Sequence, residues 1–320
     1  MANAVDASVT QEMSYKLAKD PAYIKKIPSC MQTEKMALDI IKKDIKLFKH
    51  VQVKTAKVCL EAIGKDGNCI RYIKEPTKQM CKLAILNSPS CLQYIKEPTN
   101  DLCKIALERN GSCIQYVSKQ NEELCRIAIS SCPIALQYVK DQNEELCLMA
   151  VKQNGATLQY VKDQTNDIVM AAVEEDGLAL RFAKETDDRI NLAAVEENGW
   201  ALQYVKNQTI DICLTAIINN QEAIKYVDNQ TFYLSLVAIL KNGLSIEYVR
   251  NQTKELCIEA IKQNPNALMY IKDKTKEYKV LAVKTCLRRI KHNSLYINEI
   301  TDKMLKQVIM KLLMQKGMVE

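Results

Sequence analysis

An aromatic residue returns every 22 positions along most of this chain, at Tyr72, Tyr94, Tyr116, Tyr138, Tyr160, Phe182, Tyr204, Tyr226, Tyr248 and Tyr270. This fixed step constrains the fold more than any composition figure, because a unit so short closes no hydrophobic core alone. Such units stack, each covering the apolar side of the next. The 320-residue length would suit two ordinary domains, but the periodicity overrides that prior and predicts a single elongated array.

The unit is well represented by residues 200–221, WALQYVKNQTIDICLTAIINNQ. At about 100° per residue, Ala201, Leu202, Tyr204 and Val205 fall in one arc, with Gln203 and Lys206 opposite. Strand alternation fails here, since it would place Val205 on the side of Gln203. A second helix is predicted over roughly 210–219, where Ile212, Cys213, Ala216 and Ile217 share a face. Thr209 and its counterparts, among them Thr77, Asn121, Thr165, Asp187 and Thr253, are residues that cap helix N-termini. Acidic residues recur two places later, at the positive end of the helix dipole. Pairs such as Asn154-Gly155 and Asn198-Gly199 are expected to supply a left-handed stop. Pro89, Pro133 and Pro265 replace that Gly and suit a first helical turn.

Alanine never varies at Ala84, Ala106, Ala128, Ala150, Ala172, Ala194, Ala216, Ala238, Ala260 and Ala282, which predicts that two backbones approach closely there. The fold class expected is all-α: an α-solenoid of about 13 short helical-hairpin repeats, of either hand. A mixed strand-and-helix solenoid is the alternative, since leucine-rich repeats share this period.

Four regions follow: 1–20 as a cap or tail, 21–71 as irregular repeats, 72–275 as the regular array, and 276–320 as a last repeat with a capping helix. Tyr23, Phe48 and Tyr296 are assigned to the aromatic slot at irregular steps, with Thr33, Thr55 and Thr301 as caps and Pro28-Ser29-Cys30 as an insertion. Met304, Val308, Ile309, Leu312 and Leu313 are expected to close the far end. Charge is uneven: residues 1–60 hold 11 Lys/Arg against 6 Asp/Glu, residues 271–320 hold 12 against 5, and the middle holds 22 against 27. No long apolar run follows a basic start, so neither a secretory signal nor a membrane span is expected, and the chain reads as cytoplasmic.

Of 13 cysteines, seven (Cys59, Cys81, Cys103, Cys125, Cys147, Cys213 and Cys257) share one slot, and Cys69, Cys91 and Cys113 fill another taken elsewhere by Ala. They read as small core residues with reduced thiols, and without CxxC pairs they predict no metal. His50 and His292 lack a carboxylate or nucleophile in sequence, and no phosphate loop, GxSxG or HExxH occurs. No cofactor and no enzymatic activity are expected. The Asn-Gln-Thr triplets at Asn207, Asn229 and Asn251 are explained by their helix-capping Thr.

Two surface features carry a functional expectation. One is a polar stripe three residues apart, Gln137 with Lys140, Gln159 with Lys162 and Gln203 with Lys206, either a solvated face or a groove for an acidic peptide or nucleic-acid backbone. The other is an acidic break in the repeat, Glu174, Glu175, Glu196 and Glu197, beside Phe182 and Trp200, placed where the helix dipole disfavours negative charge. It suggests contact with a basic or amphipathic protein partner, against ordinary drift of a solvent face. Basic residues near the C-terminus, including Lys284, Arg288, Arg289 and Lys291, make nucleic acid a further candidate partner.

The phrases ALQYVKNQT, ELCLMAVKQNGATLQYVKDQT and ELCIEAIKQNPNALMYIKD resemble the repeats grouped as the domain of unknown function 4116, over about residues 20–300. Residues 166–200 depart most from that pattern, as does the start before Tyr72. The resemblance implies a helical repeat protein of the kind found in giant DNA viruses of protists and other microbes, in host cytoplasm or associated with a virion if viral. It carries over no catalytic residue. The function expected is a non-enzymatic scaffold for protein–protein interaction in a larger assembly, with an RNA-associated adaptor, and then an enzyme with a site in the concave face, as alternatives.

Overall fold

The computed structural model describes residues 12–315. The chain divides into two compact units, Met1–Ala150 and Val151–Glu320. Both are built from the same alternation of a six-residue 3-10 helix and an α-helix, and no strand occurs among the described residues. Thirteen such six-residue 3-10 segments follow one another. The all-α repeat architecture expected from the period is therefore present, with one change of detail: the first helix of each pair is 3-10 rather than α.

In the copy Gly199–Tyr204, burial follows a period of three. Gly199 and Leu202 are buried, as is Val205 just beyond, with Ala201 buried beside that row, while Gln203 and Lys206 are exposed and Trp200 is half-buried. An α-helix would sweep those residues around the axis, whereas the 3-10 turn keeps them in a line along the core.

The helix stop also differs from expectation. Asn198 ends the helix Asp188–Glu197 in an extended conformation, φ −147° and ψ 108°, and its side chain accepts from Trp200 N–H at 3.0 Å. One residue thus terminates an α-helix and caps the 3-10 helix after it. No glycine here has a left-handed φ, and Glu97, at φ 48°, is the non-glycine with positive φ among the described residues. Gly199 is needed for space. A Cβ added there would lie 2.5 Å from the carbonyl oxygen of Ala216 in the following repeat. Ala216, wholly buried, stands on the other side of that approach, which is the close backbone contact implied by the alanine ladder.

Repeats are also fastened by a residue that the sequence reading passed over. Gln208 precedes the cap Thr209, and its Nε2 donates to Tyr226 O at 2.9 Å and, at 3.5 Å, to Leu202 O. Its Oε1 accepts from Asp228 N at 2.9 Å and from Cys213 Sγ at 3.6 Å. Gln120, Gln164, Gln230 and Gln252 make the same backbone bridge to the next repeat. The last helical position adds a second tie. Asn219 donates to Glu196 O at 2.7 Å and accepts from Gly199 N at 2.8 Å, so it satisfies a carbonyl left free at the end of the preceding helix.

In the first unit, a helix over 12–19 and the 3-10 helix Pro21–Lys26 pack with the helix Glu34–Lys43 through Leu17, Ile24, Ile27, Met36 and Ile40. Residues 1–11, part of the cap or tail expected over 1–20, lie outside the described residues. Thr33 and Thr55 cap their helices as expected. Phe48 does not take the aromatic slot. The segment Ile45–His50 begins 22 residues before Gly67–Tyr72, which puts His50 in that slot and fully buried Phe48 in the core position of Ile70. Tyr23 likewise sits third in its segment. The regular step therefore begins earlier than the tyrosines show, and the extra residues form the short 3-10 turn Ser29–Met31.

The second unit continues the regular pattern and ends differently. Its helix Lys276–His292 runs for 17 residues where the regular helices before it have ten. The next 3-10 segment, Ser294–Glu299, holds Tyr296 third rather than last, where Arg289 donates to its hydroxyl at 3.2 Å. Asp302, not Thr301, caps the final helix, accepting from Leu305 N at 2.9 Å. That helix, Lys303–Gln315, buries Leu305, Ile309 and Leu313. Met304 and Val308, expected to help close the end, are 75% and 47% exposed.

Candidate functional site

Within each unit the polar stripe is exposed but much of it is bonded to backbone. Gln137, Gln159 and Gln203 each donate to the carbonyl three residues back, in Ile134, Ala156 and Trp200, at 2.9–3.2 Å. Lys140 Nζ donates to Ser118 O at 2.9 Å and Lys184 Nζ to Lys162 O at 2.5 Å. Arg250 and Lys272 repeat this 22-residue reach, to Asp228 O and Arg250 O. Lys206 is exposed. The glutamines satisfy carbonyls of their own 3-10 helix and the cations carbonyls of the loop one repeat back, so the stripe has a folding role beside any ligand it meets.

The acidic break divides by function. Glu174, Glu175, Glu196 and Glu197 are all exposed in the last turns of Asn166–Glu175 and Asp188–Glu197. Glu175 accepts from Gly155 N, the tie that Asn219 makes to Gly199, so this carboxylate, set against the helix dipole, nevertheless serves the fold. Phe182 is half-buried under the Arg181 guanidinium, 4.5 Å from its ring centre. Trp200 meets Tyr226 edge to face at 5.6 Å. Both aromatics are thus engaged within the stack.

An apolar patch in the same unit was not anticipated. Ile210, Ile218, Phe232, Tyr233 and Leu240 are 51–63% exposed on the adjacent helices Ile210–Asn219 and Phe232–Lys241. In the first unit part of this face carries ions: Arg126, equivalent to Leu214 and Leu236, pairs with Glu122 at 2.7 Å and Glu145 at 2.5 Å, while the counterparts of Ile218 and Leu240 include Leu86, Glu108 and Ser130. Glu122 corresponds to Ile210 and Phe232, and Glu145 to Asp211 and Tyr233. Exposed pairs of this type add little stability, but they keep a helix face wet, and here that face is replaced by hydrocarbon. Ile218 and Leu240 also fall in register with Glu174 and Glu196 of the two preceding helices. Comparing repeats position by position would have found the patch, but an apolar residue on a short helix looks the same in sequence whether it faces core or solvent.

The thiols are packing groups. All 13 cysteines are free, and those of the two repeated slots are buried. Burial pushes Cys69 and Cys91 up to about 12, and Cys113, Cys213 and Cys286 up to about 11, opposite to the shift that makes a nucleophile. Among the described residues no group of three or more His, Cys, Asp or Glu could hold a metal ion. No helix among them is long and apolar enough to cross a membrane.

Fold and surface together define a helical-repeat protein. The model of the family described as Domain of unknown function (DUF4116) matches the chain twice, over residues 100–142 and 143–186, which establishes for that stretch the resemblance read from the repeats. Each match spans two 22-residue copies. No curated protein and no solved structure matches the chain.

Proposed function

We propose that this protein is a non-enzymatic scaffold that binds a protein partner on the exposed face of the helices between residues 166 and 241, within a larger assembly, viral or of another microbe. The observation that carries this reading is the exposed cluster Ile210, Ile218, Phe232, Tyr233 and Leu240, at positions that are charged or polar in most other repeats. Solvent gives no reason to retain such a surface, and an apolar patch bordered by polar residues is what a partner covers. Glu174 and Glu196, in register with its Ile218–Leu240 row, favour a partner helix with an apolar face and a cationic end.

The RNA-adaptor reading has less support, because several stripe cations are spent on neighbouring carbonyls. An enzyme with a site in the concave face has less support still, since among the described residues the most shifted thiols are pushed away from reactivity by burial.

The experiment compares affinity purifications of the native chain and of the Ile218→Lys/Leu240→Lys variant, quantified by mass spectrometry from the native cell. Both side chains are more than half exposed, so the variant should fold. Loss of a defined set of proteins, repeated by Glu174→Lys/Glu196→Lys, supports the proposal; an unchanged set at equal abundance overturns it. Glu175 is left untouched because of its bond to Gly155.

A further inference from the structure

At the end of the second unit, the long helix Lys276–His292 and the final helix Lys303–Gln315 leave between them an open groove of about 620 Å³. Its walls are hydrocarbon: Leu268, Val280, Val283, Met304, Leu305 and Val308. Val280, Met304 and Val308 are 45%, 75% and 47% exposed. Four lysines border it, Lys274, Lys276, Lys279 and Lys284. None of them forms an ion pair among the described residues.

The nearby carboxylates are already engaged. Asp302, on the rim, caps the final helix, and Glu277 pairs with Lys254 at 3.2 Å. The groove therefore combines a partly exposed apolar lining with an excess of positive charge, four lysines against the one carboxylate of Asp302. We propose that it is a second docking site, for the acidic amphipathic helix of a partner protein.

Shape selects a helix over a small anionic amphiphile. A small-molecule pocket buries most of its ligand, whereas walls this exposed would leave an acyl chain largely in water. A groove between two helices instead receives apolar anchors spaced i, i+4 and i+7 along a third. Val280 with Lys284, and Met304 with Val308, are each one turn apart on their helices, so apolar contact and charge alternate over the length such a helix would occupy. Carboxylates flanking its anchors would meet the lysines. The site is independent of the face proposed above, which offers carboxylates and suits a cationic partner.

The probe is a fluorescein-labelled synthetic helix of about 18 residues with Leu at i, i+4 and i+7 and Glu on both flanks, titrated with the full chain and followed by anisotropy. Two controls replace every Glu by Lys, or every Leu by Ser. Micromolar binding of the acidic helix is expected, weakened at least tenfold in Val280→Glu/Val308→Glu and in Lys276→Glu/Lys279→Glu. The lysine-reversed variant should gain affinity for the basic control, a change of preference that misfolding cannot produce, and circular dichroism of both variants should match the native chain. Several outcomes overturn the proposal: no binding of the acidic helix up to about 100 μM, equal binding of acidic and basic helices, or indifference to both variants. Self-association of the chain abolished by the same substitutions assigns the groove to a second copy instead. Variant-sensitive binding to phosphatidylserine vesicles without peptide binding assigns it to a lipid surface.

Discussion

Replacing Gln208 tests how the repeats are held together, because its amide reaches three backbone groups in two repeats. Gln208→Ala removes bonds of 2.9 Å to Tyr226 O and from Asp228 N, and leaves a carbonyl and an N–H between repeats to find water. At about 1 kcal/mol for each good bond, with the part-buried site limiting the desolvation penalty, the loss should be about 2–3 kcal/mol. Gln208→Glu sharpens the test. An ionised carboxylate still accepts from Asp228 N but faces Tyr226 O without a proton, so near neutral pH this variant should be at least as unstable as Gln208→Ala. The protonated acid regains the donor. The folded state therefore raises the pKa of Glu at this position above its unfolded value of about 4.3, and the regained stability is fully present below that value and lost as pH rises through the folded pKa. Urea unfolding followed by circular dichroism, each variant against the native chain at the same pH, should show the deficit of Gln208→Glu shrinking toward pH 4. Amide exchange should fall in protection at Asp228 by tenfold or more. Gln203→Ala is the control, since Gln203 is exposed and bonds its own turn, and should cost under about 0.5 kcal/mol. If Gln208→Ala and Gln203→Ala unfold alike, or Asp228 exchanges as before, the bridge has no energetic weight.

Gly199→Ala should lower stability by about 1–3 kcal/mol, since the added Cβ meets the Ala216 carbonyl. Gly64→Ala, with nothing within 4 Å and a place in the helix Ala56–Lys65, should raise it by about 0.4–1 kcal/mol; thermal melts of equal sign for the two would refute the packing argument. Asn191 fills the usual Cys slot, 3% exposed and with Oδ1 lacking a partner. Asn191→Cys should therefore stabilise by about 1–3 kcal/mol in urea unfolding, and a loss would show that the amide is satisfied. Exposed Cys30 should react with a thiol reagent at pH 8 far faster than the buried cysteines, and rapid labelling of many thiols in the native chain would contradict their burial. Because burial raises those thiols, their stabilising contribution is complete below the unfolded pKa of about 8.5 and is lost as pH climbs toward 11–12. The urea midpoint should fall between pH 8 and 10; a flat profile would count against the shift.

Much of the architecture is legible along the chain. A constant spacing of aromatic, cap and alanine leaves only stacked copies as a way to bury each apolar stripe, and Thr209 or Asp187 marks a helix start by its chemistry alone. The polar stripe was legible as a set of exposed residues but not as a set of backbone ties, because its carbonyl acceptors lie as much as 22 residues away.

What tertiary structure decided depends on distances between copies. Gly199 could be read as a turn residue until Ala216 came to face it, and Glu175 as a surplus charge until Gly155 N–H reached it. Phe48 left the aromatic slot because its burial follows the register of the 3-10 segment, which a count between aromatic rings cannot detect. The apolar face at Ile210–Leu240 and the lysine-rimmed groove at Val280–Val308 were settled last. Periodicity names the residues that are hydrophobic, but only the placement of neighbouring helices determines which of them remain uncovered.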